Sequence, residues 1–293
     1  MNDAISSEAK DLKDVVRWNL LQRKTQEQRA LQAFALFRKQ GIEPILIKGL
    51  AAARYYPETQ SRFSLDMDLA VAASDYYKAT LVAEDPSANG LAIDLHRELR
   101  HLDSVEWNDL FKNSQLLEFD GGNIRVLRPE DHLRVLAVHW LNDGGSYKER
   151  LWDVYYMVKN RSSDFDWDRF LNSVSLRRRR WLICTIGLAS CYLGLDLEET
   201  PIKDEARNIP SWLTHTVERE WKSDMPLLPL HANLHNRTIL LGQIGKRMWP
   251  NPITATIMME GSFDAKIQGF YRIGNILQRI GPSFRRTWKL IKR

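Results

Sequence analysis

Residues 64–71 read SLDMDLAV and place two carboxylates one residue apart in an otherwise apolar run. The alternation predicts a β-strand, in which successive side chains point to opposite faces of the sheet. Asp66 and Asp68 would then share one face, about 6–7 Å apart, while Leu65 and Met67 would point into the core. Two such carboxylates repel each other, and a bound divalent cation would remove the repulsion. Two solvated acids at a sheet edge are the simpler alternative.

A third acid occurs in a similar pattern at residues 91–96, LAIDLH. Asp94 lies between two apolar residues and would share a strand face with His96. If this strand pairs with that of residues 64–71, three carboxylates meet at one rim. Three acids can hold two metal ions, which suits in-line displacement at phosphorus. Mg²⁺ fits such a site because it prefers oxygen ligands and keeps phosphate oxygens among them.

A glycine precedes both acidic strands in ILIKG, residues 45–49. The apolar run predicts a short buried strand, and the following LAAARYY predicts a helix. Gly49 would therefore lie at a strand-to-helix turn, where backbone N–H groups can bind a phosphate. Lys48 and Arg62 could neutralise a polyphosphate. The alternatives are a surface lysine and an arginine that pairs with a nearby acid.

Together these motifs resemble the signature of the nucleotidyltransferase superfamily with the DNA polymerase beta-like catalytic fold. More narrowly, the chain is similar to a bacterial family of poorly characterised nucleotidyltransferases, over roughly residues 30–175. The motifs that carry the resemblance are Ile47-Lys48-Gly49, Tyr56-Pro57, Arg62, Asp66-Met67-Asp68-Leu69 and Asp94-Leu95-His96.

The resemblance implies an α+β fold: a small mixed sheet with flanking helices, followed by a mainly helical domain. It implies that Asp66 and Asp68 bind both metal ions together with the nucleotide phosphates. Asp94 would complete the catalytic metal site and help to deprotonate the acceptor hydroxyl. Gly49 would contact the phosphates through its backbone. His96 either contacts the nucleotide or orients Asp94.

The character of the chain changes near Arg128. Before this residue, QLLEFDGGNIRVL predicts a β-hairpin. After it, PEDHLRVLAVHWLND, KERLWDVYYMVKN and RRRRWLICTIGLASCYLGL have helical periodicity. We therefore expect N-terminal helices over residues 1–40, the catalytic α/β domain over 41–128, and a helical domain with a basic tail over 129–293.

Several polar patterns in the helical part have simple structural explanations. His132 and His139 are seven residues apart, too far to share one metal ion. The acids at 164–168 are typical of a helix N-terminus. The four arginines at 177–180 point around a helix and predict a solvated face with one or two ion pairs.

The charge is concentrated at the C-terminus. The chain has a formal net charge of +5, yet residues 265–293 hold eight Lys and Arg and no acid. This distribution argues against a nucleic-acid-binding body. The tail is expected either to dock on its own domain or to contact an anionic membrane surface. No apolar run approaches the ~20 residues that span a bilayer, and the polar N-terminus does not resemble a secretory signal. We expect a cytoplasmic protein.

The leading hypothesis from the sequence is an Mg²⁺-dependent nucleotidyltransferase, with Mn²⁺ as the substitute cation. It would transfer a nucleoside monophosphate from an NTP to a hydroxyl or phosphate acceptor and release pyrophosphate. The acceptor would be a small molecule, a peptide or a glycan precursor. One alternative is a related phosphoryl or sugar-phosphate transfer to a biosynthetic acceptor. The other is a catalytically degenerate binding module.

Overall fold

The computed structural model describes residues 2–60, 62–223 and 249–278, and side chains from residue 13 onward. The helices are α1 Asn2–Lys39, α2 Leu50–Ala53, α3 Tyr76–Ala83, α4 Trp107–Asn113, α5 Pro129–Asn142, α6 Lys148–Lys159, α7 Trp167–Asn172, α8 Leu176–Leu193, α9 Lys203–Arg207, α10 Ser211–Trp221 and α11 Pro252–Met258. The strands are β1 Ile45–Leu46, β2 Met67–Val71, β3 Ile93–Arg97, β4 Gln115–Phe119 and β5 Gly122–Val126.

The five strands form one mixed sheet in the order β3-β2-β1-β5-β4. The pairs β2–β3 and β1–β5 are parallel, whereas β1–β2 and β4–β5 are antiparallel. The β4–β5 pair is the hairpin that the Gly-rich turn predicts. Strands β2 and β3 pair directly, as the conditional argument from the sequence required. The expected α+β architecture, a mixed sheet with flanking helices and a helical region after it, is confirmed.

Helix α1 covers one face of the sheet with its C-terminal half. Its buried side chains recur at helical spacing and meet the apolar face of the strands. These side chains are Ala30, Ala33, Phe34 and Phe37 from α1, with Leu46, Leu69, Val71, Ile124 and Val126 from the sheet. The predicted N-terminal helices are thus one long helix in the structure.

The end of α1 is set by Gly41, as the sequence predicts. Gly41 has φ +69°, and its N–H donates to the carbonyl of Arg38 at 2.8 Å. The N–H of Ile42 donates to the carbonyl of Phe37 at 3.0 Å. These two bonds form a Schellman motif, which turns the chain directly into β1.

Strand β2 is shorter than the acidic stretch suggested, because it begins at Met67. Met67 and Leu69 are buried, as predicted. Leu65 was expected to face the core, and this expectation is wrong: its exposed fraction is 75%. Residues 64–66 precede the strand, so the alternation of the strand does not govern them.

Contacts between Cα atoms divide the chain into two compact units. The first contains residues 1–136 and 153–174, including the whole sheet. The second contains residues 137–152 and 175–293, including α8 to α11. The division falls within α5 and α6. The predicted domain boundary near Arg128 stays a prediction, because packing density does not test independent folding.

In the second unit, the arginine run at 177–180 is paired more fully than expected. Arg177 donates to the carbonyl of Glu260 and Arg178 to its carboxylate. The other two pair with Glu205 and Asp264, at 2.6 Å and 3.1 Å. These arginines tie α8 to its neighbours, so the structural interpretation of the run is supported.

Within the described residues, none of the helices has the length and apolar content needed to cross a membrane. Most of the basic tail, residues 279–293, lies outside the described residues. The predicted contact of this tail with lipid stays a prediction.

Candidate functional site

The turn between β1 and α2 depends on Gly49. Its backbone has φ 59° and ψ −117°, a conformation that side chains with a Cβ rarely adopt. A Cβ at this position would also lie 3.3 Å from the Cβ of Ser64. The glycine therefore lets the turn lie closely against residues 64–66. This confirms the predicted strand-to-helix turn.

The β2–β3 register brings two of the predicted acids together. Asp68 lies directly opposite Asp94, and Ala70 lies opposite His96. Since alternate residues share a face, Asp68, Asp94 and His96 all point to the same side of the sheet. The core-facing residues Met67 and Leu69 lie on the opposite side. Backbone pairing of parallel strands thus sets the geometry of the site.

His96 bridges the two carboxylates. Its Nε2 lies 3.1 Å from Oδ1 of Asp68 and 3.2 Å from Oδ2 of Asp94. Each of these three residues offers a ligand atom, and the three atoms all lie within 4.8 Å of one another. Two oxygens and one nitrogen at this spacing are able to coordinate a divalent cation.

Asp68 is buried and strongly stabilised in its ionised form. The exposed fraction of its side chain is 4%, and that of Lys48, its ion-pair partner, is 10%. Burial alone would raise the pKa of Asp68. The hydrogen bond from His96 and the charge of Lys48 outweigh it and lower the pKa to about 2. Lys48 is therefore not the surface lysine of the simpler interpretation.

Asp66, by contrast, does not join the group formed by Asp68, Asp94 and His96. It is exposed, lies just before β2, and accepts a hydrogen bond of 2.9 Å from the hydroxyl of Ser64. It lines a groove together with Lys48, Gly49 and Ser64, and helix α1 contributes Gln26 and Arg29 to the same groove.

Arg62 forms the structural ion pair that was the alternative to a phosphate contact. Its Nε and Nη2 donate to the two carboxylate oxygens of Asp153, at 2.7 Å and 2.9 Å. The hydroxyl of Tyr56 donates to the same carboxylate at 2.6 Å. Burial alone would lower the pKa of Arg62, but the charge of Asp153 and its hydrogen bond raise it.

One face of α6 holds the loop before β2. Besides Asp153, the hydroxyl of Tyr156 donates to the side chain of Gln60. The side chain of Asn160, which follows α6, donates to the carbonyl of Tyr55 at 2.6 Å. Residues 153, 156 and 160 recur at helical spacing and so share this face.

Asp153 was not identified as a site residue from the sequence. A signal was present, because the residue lies among the apolar positions of RLWDVYYMV. A carboxylate on the buried stripe of a helix requires a charged or hydrogen-bonding partner.

His132 is fully buried in α5. Burial and the nearby charge of Arg54 lower its pKa well below the usual range of histidine. His139 lies 3.7 Å from the carboxylate of Asp143. Both environments agree with the structural interpretation of these histidines.

Comparison with protein families gave one match. A family described as uncharacterised nucleotidyltransferases matches residues 2–194, which is more than half of the 293 residues. The matched region contains the whole sheet, the Gly49 turn, the acid pair and the Arg62–Asp153 ion pair. No curated protein and no solved structure matches the chain.

Proposed function

Because this chain belongs to the uncharacterised nucleotidyltransferase family, we propose that it transfers a nucleoside monophosphate from an NTP to a hydroxyl or phosphate acceptor. Pyrophosphate is the second product. The reaction uses a divalent cation, with Mg²⁺ as the expected ion and Mn²⁺ as its substitute.

The observation that carries this proposal is the pairing of Asp68 with Asp94 beside the Gly49 turn. The donor set fits a divalent cation: two carboxylate oxygens, with an imidazole nitrogen between them. When bound, the cation would neutralise phosphate charge as it develops and hold the triphosphate in line with the acceptor. Asp66, from the adjoining groove, is proposed as a further ligand.

The residues of the chain supply positioning and charge. Backbone N–H groups at Gly49 would bind the phosphates, and Lys48 would oppose their charge. The acceptor oxygen forms a bond to the α-phosphorus while the bond to the leaving pyrophosphate breaks. Asp94 is half exposed and is proposed to take the proton of the acceptor hydroxyl. Catalysis of this kind rests on orientation and electrostatic stabilisation.

The acceptor is proposed to be a small molecule, a peptide or a glycan precursor. Nucleic acid is disfavoured because the excess positive charge of the chain is confined to residues 265–293. A cytoplasmic location, with contact to a membrane surface through the basic tail, belongs to the same proposal.

The test is a screen of the full chain with each of the four NTPs, in Mg²⁺ or Mn²⁺, against pools of the three acceptor classes. Pyrophosphate release and the mass of the product are measured. A gain of one nucleoside monophosphate supports the proposal, whereas a gain of a sugar phosphate supports the alternative transfer. Asp94→Asn is the inactive control. Absence of both metal-dependent turnover and metal-dependent nucleotide binding would contradict the proposal and favour a degenerate binding module.

A further inference from the structure

Oδ1 of Asp68 receives two donors from the protein. The ammonium of Lys48 contacts this oxygen, and Nε2 of His96 lies 3.1 Å from it. The same oxygen is the atom through which His96 reaches Asp68 in the metal-binding group. The most buried of the candidate ligands is thus already neutralised by the chain itself.

The pairing of Lys48 with Asp68 follows from burial. A carboxylate with 4% of its side chain exposed requires a compensating charge. Asp66 and Asp94 are exposed and need no such partner, because water solvates them. The chain therefore carries an internal cation at the one acid that could not remain ionised without it.

A divalent cation on Oδ1 of Asp68 and the ammonium of Lys48 would repel each other at contact distance. Lys48 also lines the groove that contains Gly49, Ser64 and Arg29. This groove offers the displaced ammonium a place beside the turn where the phosphates are proposed to bind.

Resting on the proposed function, we propose that Lys48 is an internal counter-ion of Asp68 that the divalent cation displaces toward the triphosphate. The metal alone then binds weakly, because it must break an existing ion pair. A triphosphate that binds Lys48 removes this competition, so nucleotide and metal strengthen each other's binding by the same factor.

The experiment measures binding of Mn²⁺ alone to the full chain, by calorimetry and by the electron paramagnetic resonance signal of free Mn²⁺. The variant Lys48→Met removes the ammonium and keeps most of the apolar stem. We expect it to bind Mn²⁺ at least tenfold more tightly than the wild type. The gain should disappear in the double variant Lys48→Met, Asp68→Asn.

A matched control is Lys78→Met. Lys78 also contacts an oxygen of the chain, but this is the carbonyl of Gln40 rather than a carboxylate. We expect no change in Mn²⁺ affinity. Circular dichroism checks the fold of each variant. If Lys48→Met does not fold in metal-free buffer, Lys48→Gln, which keeps a hydrogen-bond donor, replaces it with the same expected direction.

The two proposals fail separately. Equal or weaker Mn²⁺ binding in the Lys48 variants would overturn the counter-ion role, even if NTP turnover is found. Tighter binding in these variants without any NTP turnover would support the counter-ion role and count against the transferase. If neither the wild type nor the Lys48 variants bind Mn²⁺, the counter-ion role and the metal site are both wrong.

Discussion

Asp68 and Asp94 occupy the same register position in two parallel strands, yet their environments differ sharply. The side chain of Asp68 is 4% exposed and that of Asp94 is 53% exposed. His96 contacts both carboxylates. Asp68 therefore has a structural role in addition to its proposed chemistry, whereas Asp94 is accessible to a substrate. Substitutions at these two residues should separate stability from activity.

Asp94→Asn should abolish NTP turnover and change the free energy of unfolding by no more than about 0.5 kcal/mol. Asp68→Ala should abolish turnover and also destabilise the protein by about 3 kcal/mol, because it leaves Lys48 buried without its partner. Urea unfolding and pyrophosphate release are the measurements. Equal destabilisation by both substitutions would contradict the difference in burial.

The ionisation of Asp68 should make stability fall in acid. Its pKa is about 2 in the folded protein, against 3.8 for an unperturbed aspartate. The unfolded chain therefore binds the proton more readily, and stability that is present above about pH 4 is lost as the pH falls toward 2. The loss is about 2 kcal/mol. Urea unfolding at pH 5 and pH 2.5 should show a smaller acid loss for Asp68→Asn than for the wild type. Asp94→Asn serves as the control and should keep the loss of the wild type.

The Arg62–Asp153 ion pair should be important for stability. Asp153→Asn leaves the buried guanidinium of Arg62 without a charged partner, at an expected cost of about 3–5 kcal/mol. Turnover should also fall, since Arg62 holds the loop that leads to residues 64–66. Glu198→Gln is the control, because Glu198 pairs with Lys203 on the surface and its loss should leave the melting temperature nearly unchanged. A similar melting temperature for both variants would argue against the role of Asp153.

Gly49→Ala should destabilise the protein more than Gly41→Ala. Both glycines have positive φ, at 59° and 69°, and an alanine in a left-handed conformation costs about 1–2 kcal/mol. A Cβ at Gly41 would meet nothing within 4 Å, whereas one at Gly49 would lie 3.3 Å from that of Ser64. Chemical denaturation of both variants measures the difference. Adding Ser64→Gly to Gly49→Ala should recover part of the loss, and failure to do so would assign the whole cost to the backbone.

Much of the fold could be predicted from local patterns. The alternation around Asp68 and Asp94 placed both acids on one face, and the register confirms this arrangement. Gly41 and Gly49 were identified because glycine marks positions with positive φ. In each case the physical cause lies within a few residues of the chain, so the sequence displays it directly.

The partners of the charged side chains could not be predicted in this way. Arg62 and Asp153 are 91 positions apart, and no local pattern connects them. For Lys48, the sequence left two options, a surface position and a phosphate contact, and the structure instead pairs it with Asp68. Such pairs depend on which elements meet in three dimensions. The exposure of Leu65 was missed because the pattern did not show where β2 begins.

The parallel pairing of β2 and β3 has a consequence for how the acid pair can change over time. Hydrogen-bonded strands shift only by whole residues, and a shift of one residue would bring Leu69 or Met67 opposite Asp94. Mutational drift in the core cannot adjust the spacing of the two carboxylates by small increments. Directed evolution toward new acceptors would therefore find its gradual solutions in the loops and helices around the sheet, while the acid pair is either kept or lost.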